Sequence, residues 1–260
     1  MSAYNIKGRF AVVTGAGSVI IADIHLRPEA EATIAKYPKD ALASRGAYAI
    51  FHKTDVSDWN QISSLWAAAL EIFPHIDIVC NGAGVYEPPS SCFWNAPGVS
   101  PLAQDPVDAK VGQYKTFAVN TIGPIRLAQI AIDYWLQNRN IEGNLLWIVS
   151  LGRYVHSMHT PMYFASKAAI VSMVKSLGGL RKELGIRNAA VCPGAVYPEF
   201  GDGNVVETML VGSKDDNSVS VREVPLHLLY PTAGPEGQDN HLLEEEVKMV
   251  KQLKKSGMRA

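Results

Sequence analysis

Residues 10–23 read Phe-Ala-Val-Val-Thr-Gly-Ala-Gly-Ser-Val-Ile-Ile-Ala-Asp, which is two short apolar runs separated by a turn rich in glycine. Short, continuous apolar runs are typical of strands buried on both faces of a parallel sheet. Similar runs recur along the chain, and segments with helical character alternate with them. The strands are predicted at 9–14, 18–22, 47–52, 76–80, 145–150 and 186–192.

The segments between these strands predict helices at 28–36, 59–72, 107–118, 124–138 and 163–184. Ser57-Asp58 is a good N-cap pair for the second helix, and Pro124 suits the first turn of the fourth. Residues 86–106 contain five prolines and are predicted to form an irregular loop. The alternation predicts an α/β fold in which a mostly parallel sheet is covered by helices on both faces.

The length and composition of the chain are those of one globular domain rather than two. We place this domain at 1–235, followed by an amphipathic helical tail at 236–260. A formal net charge of −1 gives no electrostatic reason to expect nucleic acid as a partner. Cys80, Cys92 and Cys192 lack metal-ligand spacing, and no apolar run is long enough to span a bilayer. We therefore expect a cytoplasmic protein with neither a metal nor a membrane partner.

Tyr163 and Lys167 are four positions apart in a predicted helix, and Ser150 ends a predicted strand. Residues four apart on a helix lie on one face. An ammonium beside a phenol favours the phenolate, so we expect Lys167 to lower the pKa of Tyr163 below about 10 and make it a general acid/base. Ser150 would lie at a strand's carboxyl end, where open α/β sheets bind ligands. Such tyrosine–lysine pairs also arise by chance, but together with the serine this one predicts a hydride-transfer site.

Asn120, Ser150, Tyr163 and Lys167, in this order, resemble the catalytic tetrad of the short-chain dehydrogenase/reductase family. Four other stretches resemble motifs of that family: Ala11-Val-Val-Thr-Gly15-Ala-Gly17, Asp55-Val56, Cys80-Asn81-Gly82-Ala83-Gly84 and Pro193-Gly194. They resemble, respectively, its first strand and glycine turn, its adenine-contacting pair, its Asn-Ala-Gly motif and the turn after its sixth strand. The resemblance covers roughly residues 5–200 and implies a Rossmann-like, doubly wound sheet.

The resemblance implies an oxidoreductase that transfers a hydride between NAD or NADP and an alcohol or ketone. Tyr163 would be the general acid/base, and Lys167 would also hold the nicotinamide ribose. Ser150 would polarise the carbonyl, and Asn120 would support a water chain to Lys167. The cofactor-binding residues that it implies are Gly15, Asp23, Asp55, Val56, Asn81, Gly82, Ala83, Tyr163, Lys167, Pro193, Gly194 and Val196. It also implies a homodimer or homotetramer, paired through the helices at 107–138 and 163–184.

Asp23 ends the second apolar run. An acidic residue at this position accepts hydrogen bonds from the adenosine ribose hydroxyls and repels a 2′-phosphate. The sequence therefore favours NAD over NADP, and Arg27 nearby keeps NADP possible.

The glycine turn departs from the family pattern. Family members have a long helix between their first two strands, whereas here Gly15-Ala-Gly17 leads almost directly into Val19. Because parallel neighbours need a crossover of a dozen or more residues, we expect these strands not to pair in parallel and an apolar patch to be uncovered on one sheet face. Three explanations stay open: a mis-spliced product of a normal enzyme, a degenerate relative, or a phosphate site rebuilt from Gly15, Ala16 and Gly17. A non-catalytic relative that has lost tight nucleotide binding is thus the alternative to an active enzyme.

A second departure lies near the C-terminus. The family adds a helix and a seventh strand after the strand at 186–192. Val219-Ser-Val-Arg-Glu-Val224 is the only trace of that region that we find, and no strand is predicted after Pro231.

Overall fold

The computed structural model describes residues 8–14, 20–38, 48–151, 156–193, 208–212 and 248. Seven strands form one sheet in the order β3-β2-β1-β4-β5-β6-β7. They are β1 (Ala11–Thr14), β2 (Ile20–Asp23), β3 (Ile50–Lys53), β4 (Ile78–Asn81), β5 (Asn144–Ile148), β6 (Arg187–Pro193) and β7 (Thr208–Gly212). The first six strands pair in parallel, and β7 runs antiparallel to β6. The predicted α/β class with a mostly parallel sheet is confirmed.

Helices connect the strands as the alternating pattern predicts. They are α1 (Pro28–Lys36), α2 (Trp59–Ile72), α3 (Lys115–Phe117), α4 (Gly123–Gln137), α5 (Pro161–Ser176) and α6 (Leu180–Leu184). Asp58 caps α2 by accepting hydrogen bonds from the backbone N–H groups of Asn60 and Gln61. A π-helical turn, Ala118–Ile122, joins α3 to α4. In the described ranges, no helix is both long and apolar enough to cross a membrane.

The core lies between the sheet and its helices. Its largest fully buried side chains include Trp135 of α4 and Trp147 of β5. Ile20, Ile21 and Ala22 of β2 are also buried. The apolar patch expected on the sheet from the missing first helix is therefore not found on this strand.

The expectation that the first two strands cannot pair in parallel was wrong. Val12 of β1 lies opposite Ile20 of β2, and the two strands run in the same direction. The connection runs from Thr14, the end of β1, to Ile20, the start of β2. In this register Ile20 lies two residues back along the sheet and one strand spacing to the side, about 8 Å from Thr14 in all. Six residue steps can span about 20 Å. A crossover helix is therefore not required for this short pair, although the connecting residues 15–19 lie outside the described ranges.

The helix predicted at 107–118 begins only at Lys115. Tyr114, the residue before it, has a left-handed φ of 44° and donates its backbone N–H to the Asp105 carboxylate. A β-carbon residue in this conformation cannot continue an α-helix, so the loop extends to residue 114. The segment predicted as one helix at 163–184 is two helices, α5 and α6, separated by a turn at 177–179.

The last part of the chain gave two further outcomes. Strand β7 (Thr208–Gly212) was not predicted, because the sequence favoured 219–224 as the trace of a seventh strand. The segment 219–224 and the tail at 236–260 lie outside the described residues, apart from Lys248, which is helical.

Candidate active site

The turn after β4 is held against the end of β1 by one hydroxyl group. Thr14 Oγ1 accepts hydrogen bonds from the backbone N–H groups of Gly82 (3.0 Å) and Ala83 (3.2 Å). A Cβ atom on Gly82 would lie 2.4 Å from the carbonyl oxygen of Thr14, so only glycine fits. The turn therefore lies close to the carboxyl ends of the central strands, where a doubly wound sheet binds its ligand.

Asn120 holds the next residues of that turn from the π-helical segment. Its side chain is 2% exposed; its Oδ1 accepts from Val85 N (2.8 Å) and its Nδ2 donates to Val85 O (2.9 Å). The same Nδ2 lies 3.0 Å from the hydroxyl of Ser166 on α5. π-helical turns recur at functional sites, and this one aims an amide at both the turn and the helix that carries Tyr163.

Ser150, Tyr163 and Lys167 come together as the sequence predicts. Ser150 follows β5, and its hydroxyl hydrogen-bonds the hydroxyl of Tyr163 on α5. Lys167, one helical turn further on, is 6% exposed, with its Nζ 5.9 Å from the centre of the Tyr163 ring. The Nζ also lies 3.5 Å from the carbonyl oxygen of Ile148 at the end of β5.

The expected lowering of the Tyr163 pKa by Lys167 was wrong for this structure. Burial raises the pKa of Tyr163, and this effect outweighs the hydrogen bond with Ser150, which lowers it. Burial also lowers the pKa of Lys167 from 10.5 to about 8. The ammonium lies over the face of the ring, and removal from water disfavours the charged form of both groups.

Glycine 84 connects this cluster with a large cavity. A Cβ atom at Gly84 would lie 3.3 Å from Lys167 Nζ and 3.4 Å from Asn120 Oδ1. Gly84 also lines a cavity of about 590 Å³ at the carboxyl ends of β2, β3 and β4. Gly84 is therefore the residue that separates a ligand in this cavity from the side chains of Lys167 and Asn120.

The cavity is lined by five of the twelve cofactor residues that the resemblance implied. Its lining includes Asp23, Asp55, Val56, Gly82 and Ala83. The Asp23 carboxylate accepts from the backbone N–H of Ile24 (2.7 Å). Burial raises the pKa of Asp55, but hydrogen bonds from Ser57 and Lys115 outweigh burial and hold it below its ordinary value. Both acidic groups are thus available as hydrogen-bond acceptors.

Asn81 offers a test of whether a polar ligand fits here. It is the last residue of β4 and is 4% exposed, and its Nδ2 and Oδ1 have no hydrogen-bond partner among the described residues. Buried amides normally have partners, so this side chain fits a site that receives a polar group. The cavity volume and the glycine-lined wall likewise fit the adenosine half of a dinucleotide.

The remaining cofactor residues are placed only in part. Pro193 is the last residue of β6. Gly15, Gly194 and Val196 lie outside the described residues.

Sequence reasoning missed Glu87 and Lys115. The Glu87 carboxylate accepts from the backbone N–H of Tyr163 (2.7 Å) and of Phe93 (3.1 Å), and Glu87 itself has a left-handed φ of 34°. Lys115 lies 3.3 Å from Asp55 and lines the cavity. Neither residue belongs to a sequence motif. Both lie at the ends of the irregular loop, and a charge at that position is the only feature of the sequence that points to them.

Residues 10–205 match the family model of the short chain dehydrogenases, and the chain belongs to that family. Among its relatives is 1-deoxy-11-beta-hydroxypentalenate dehydrogenase from Streptomyces exfoliatus, which is 27% identical over 85% of this chain and 78% of its own length. Another is 3beta-hydroxysteroid dehydrogenase 2 from Eggerthella lenta, 26% identical over 76% of this chain and 75% of its own length. At the level of the family, the chain is an NAD(P)-dependent oxidoreductase.

A solved structure shows the same fold. It is the 3-ketoacyl-(acyl-carrier-protein) reductase from Brucella melitensis, complexed with NADH. It is 24% identical and has a TM-score of 0.55, with 74% of this chain and 77% of the reductase covered. This likeness shows the Rossmann-like fold.

Proposed function

We propose that the protein transfers a hydride between NAD and the carbinol or carbonyl carbon of a small molecule, with Tyr163 as the general acid/base. One observation carries this proposal: the Tyr163 hydroxyl is hydrogen-bonded to Ser150 beside Lys167. This cluster adjoins, through Gly84, a cavity suited to adenosine. A nicotinamide bound beside the Tyr163 cluster would supply or accept the hydride.

The protein's own groups would handle the proton. In the direction of reduction, Ser150 donates a hydrogen bond to the substrate carbonyl oxygen and stabilises the negative charge that develops on it. Tyr163 donates its phenolic proton to the same oxygen. The raised pKa of Tyr163 keeps this proton in place at neutral pH. Lys167, whose Nζ lies 5.9 Å from the centre of the Tyr163 ring, would be available to hold the nicotinamide ribose.

NAD is the proposed cofactor because of the charge at the end of β2. Asp23 lines the cavity, and its carboxylate would repel a 2′-phosphate while accepting bonds from ribose hydroxyls. Arg27 also lines the cavity and would reduce this preference. We therefore expect NADH to bind more tightly than NADPH. Because of Arg27, the difference between the two affinities should be smaller than Asp23 alone would produce.

The substrate side of the site is aromatic. The Tyr86 ring packs edge-on against Tyr163 with 4.6 Å between ring centres, and Tyr86 is 57% exposed. Trp94 donates its Nε1–H to the carbonyl oxygen of Met158 (2.7 Å), which ties the irregular loop to the segment before α5. An apolar alcohol or ketone suits this wall. The names of two relatives specify hydroxylated substrates, which agrees with this chemistry.

The test is a panel of apolar secondary alcohols with NAD, followed by absorbance of NADH, on the wild type and on Tyr163→Phe. We expect the variant to lose at least about 100-fold in kcat, the lower range for general acid–base catalysis, while its unfolding midpoint stays unchanged. Tyr134→Phe, on α4 against Trp66, is the matched control and should keep full activity. Equal turnover by wild type and Tyr163→Phe would refute the proposed role.

One observation favours the alternative, a relative without tight nucleotide binding. Only residues 15–19 connect β1 and β2, so no long helix can offer its N-terminal N–H groups to a pyrophosphate at this point. A folded wild type that shows no NADH binding would establish this alternative instead of the enzyme.

A further inference from the structure

We propose that Lys115 adds a hydrogen-bond donor to the adenine contact that the family resemblance implies for Asp55, so that the pair reads the edge of the base that carries the amino group. This inference rests on the proposed binding of NAD and adds a base-recognition residue to that site. The observations that carry it are the hydrogen bonds of Asp55, the position of Lys115 in the cavity, and the backbone that holds Lys115 in place.

The two oxygens of Asp55 are used differently. Oδ1 accepts two hydrogen bonds from Ser57, one from the backbone N–H (2.9 Å) and one from the hydroxyl (2.6 Å). Oδ2 accepts one, from Lys115 Nζ at 3.3 Å. A carboxylate oxygen has two lone pairs, so Oδ2 retains capacity for one further donor in the cavity.

Lys115 presents the complementary group beside that oxygen. Its ammonium has three N–H donors and directs one of them to Asp55. Lys115 and Val119, four residues apart on the α3–α4 helical segment, both line the cavity. Asp55 and Lys115 both line the cavity and are hydrogen-bonded to each other, with Oδ2 and Nζ 3.3 Å apart. Beyond this bond, Oδ2 can accept one further hydrogen bond and Nζ can donate others.

The backbone before Lys115 is specialised. Tyr114 has a left-handed φ of 44°, and its N–H is bound by the Asp105 carboxylate at 2.8 Å. A non-glycine residue persists in this region only where the surroundings enforce it. This arrangement starts the helix at Lys115 and so sets the position of its backbone at the cavity.

An acceptor next to a donor matches adenine chemically. The exocyclic amino group of adenine is a donor, and the ring nitrogens on either side of it are acceptors. In nucleic acid complexes one amide side chain reads such an edge with its oxygen and its nitrogen. Here Asp55 Oδ2 would accept from the amino group, and Lys115 would donate to the neighbouring ring nitrogen.

The test uses AMP and its two analogues in which either ring nitrogen beside the amino group is replaced by carbon, 1-deaza-AMP and 7-deaza-AMP. Each competes with NADH, followed by energy transfer from tryptophan to the nicotinamide. We expect one analogue to bind the wild type about tenfold more weakly than AMP, within the usual range for one base contact. In Lys115→Met this difference should disappear. Lys110 is an exposed lysine on the loop before α3, and Lys110→Met should retain the difference between AMP and the analogue.

The outcomes separate this inference from the proposed function. If the wild type binds NADH but holds AMP and both analogues equally, Lys115 does not read the base and only the inference fails; this result needs no variant. If Lys115→Met weakens all three nucleotides equally, the lysine acts through its charge alone and the inference also fails. If folded wild type binds no NADH, both fall.

Discussion

Replacing Lys167 with methionine should make the protein more stable and inactive. Lys167 is 6% exposed, and burial lowers its pKa from 10.5 to about 8. At about 1.4 kcal/mol per pKa unit, this difference corresponds to about 3 kcal/mol of destabilisation of the native state at pH 7. Methionine has a similar volume and no charge, so Lys167→Met should remove most of that cost. For a chain of this size, about 3 kcal/mol raises the melting temperature by about 6–12 °C.

The sign of the pH dependence is a second readout. Because the folded pKa of Lys167 lies below the unfolded one, the native state binds fewer protons than the unfolded state between about pH 8 and 10.5. The contribution of Lys167 to the free energy of unfolding should therefore rise with pH in this window, and the cost of burying the ammonium is fully present below about pH 8. The raised pKa of the Cys80 thiol acts in the opposite direction and is common to both proteins, so the readout is the difference between the wild type and the variant. Lys167→Met should lack this rise.

Urea unfolding of both proteins at pH 7 and pH 9.5 measures the effect. Lys175→Met is the matched control, since Lys175 is exposed on the same helix, and it should leave stability unchanged at both values. The reasoning is refuted if Lys167→Met is less stable than the wild type at pH 7. That result would mean that the folded protein stabilises the ammonium.

Two further substitutions, Gly82→Ala just after β4 and Asp77→Ala just before it, test the contacts between β4 and β1. Gly82→Ala should lower the free energy of unfolding by about 1–3 kcal/mol, the usual cost of overpacking, because its Cβ would meet the Thr14 carbonyl oxygen; a urea midpoint equal to that of the wild type would contradict the tight approach. Asp77→Ala should cost about 1–3 kcal/mol, because the buried carboxylate accepts from Phe10 N at 2.9 Å. Glu142→Ala, at an exposed ion pair, should cost less than about 1 kcal/mol, and equal losses for both would show that burial is not the cause.

Elements carried by local pattern were predictable. The buried strands are continuous apolar runs, and the capping residue Asp58 and Pro28 at the first turn of α1 mark their helices directly, so α1 and α2 have the predicted limits. Strand β7 was missed although Met209-Leu210-Val211 is an apolar run like those of the other strands, because the family pattern favoured a seventh strand further along the chain. The parallel pairing of β1 and β2 was missed because a rule about crossover length was applied without considering the register.

The site shows the same division. The order of Ser150, Tyr163 and Lys167 gave the cluster, because a helix and a strand end have fixed geometry. The contact of Glu87 with Tyr163 joins residues 76 apart, and that of Lys115 with Asp55 joins residues 60 apart. Only the fold brings these pairs together. The pKa of Tyr163 was predicted in the wrong direction because burial, which sequence spacing does not give, outweighs its other influences.

An NADH titration of the folded wild type, followed by energy transfer from tryptophan to the nicotinamide, tests the central claim most directly. The account predicts saturable binding in the micromolar range, weakened when Asp23 is changed to lysine at the cavity wall. Absence of binding by a chain that unfolds cooperatively would contradict it, and Tyr163 and Lys167 would then be remnants of an ancestral active site.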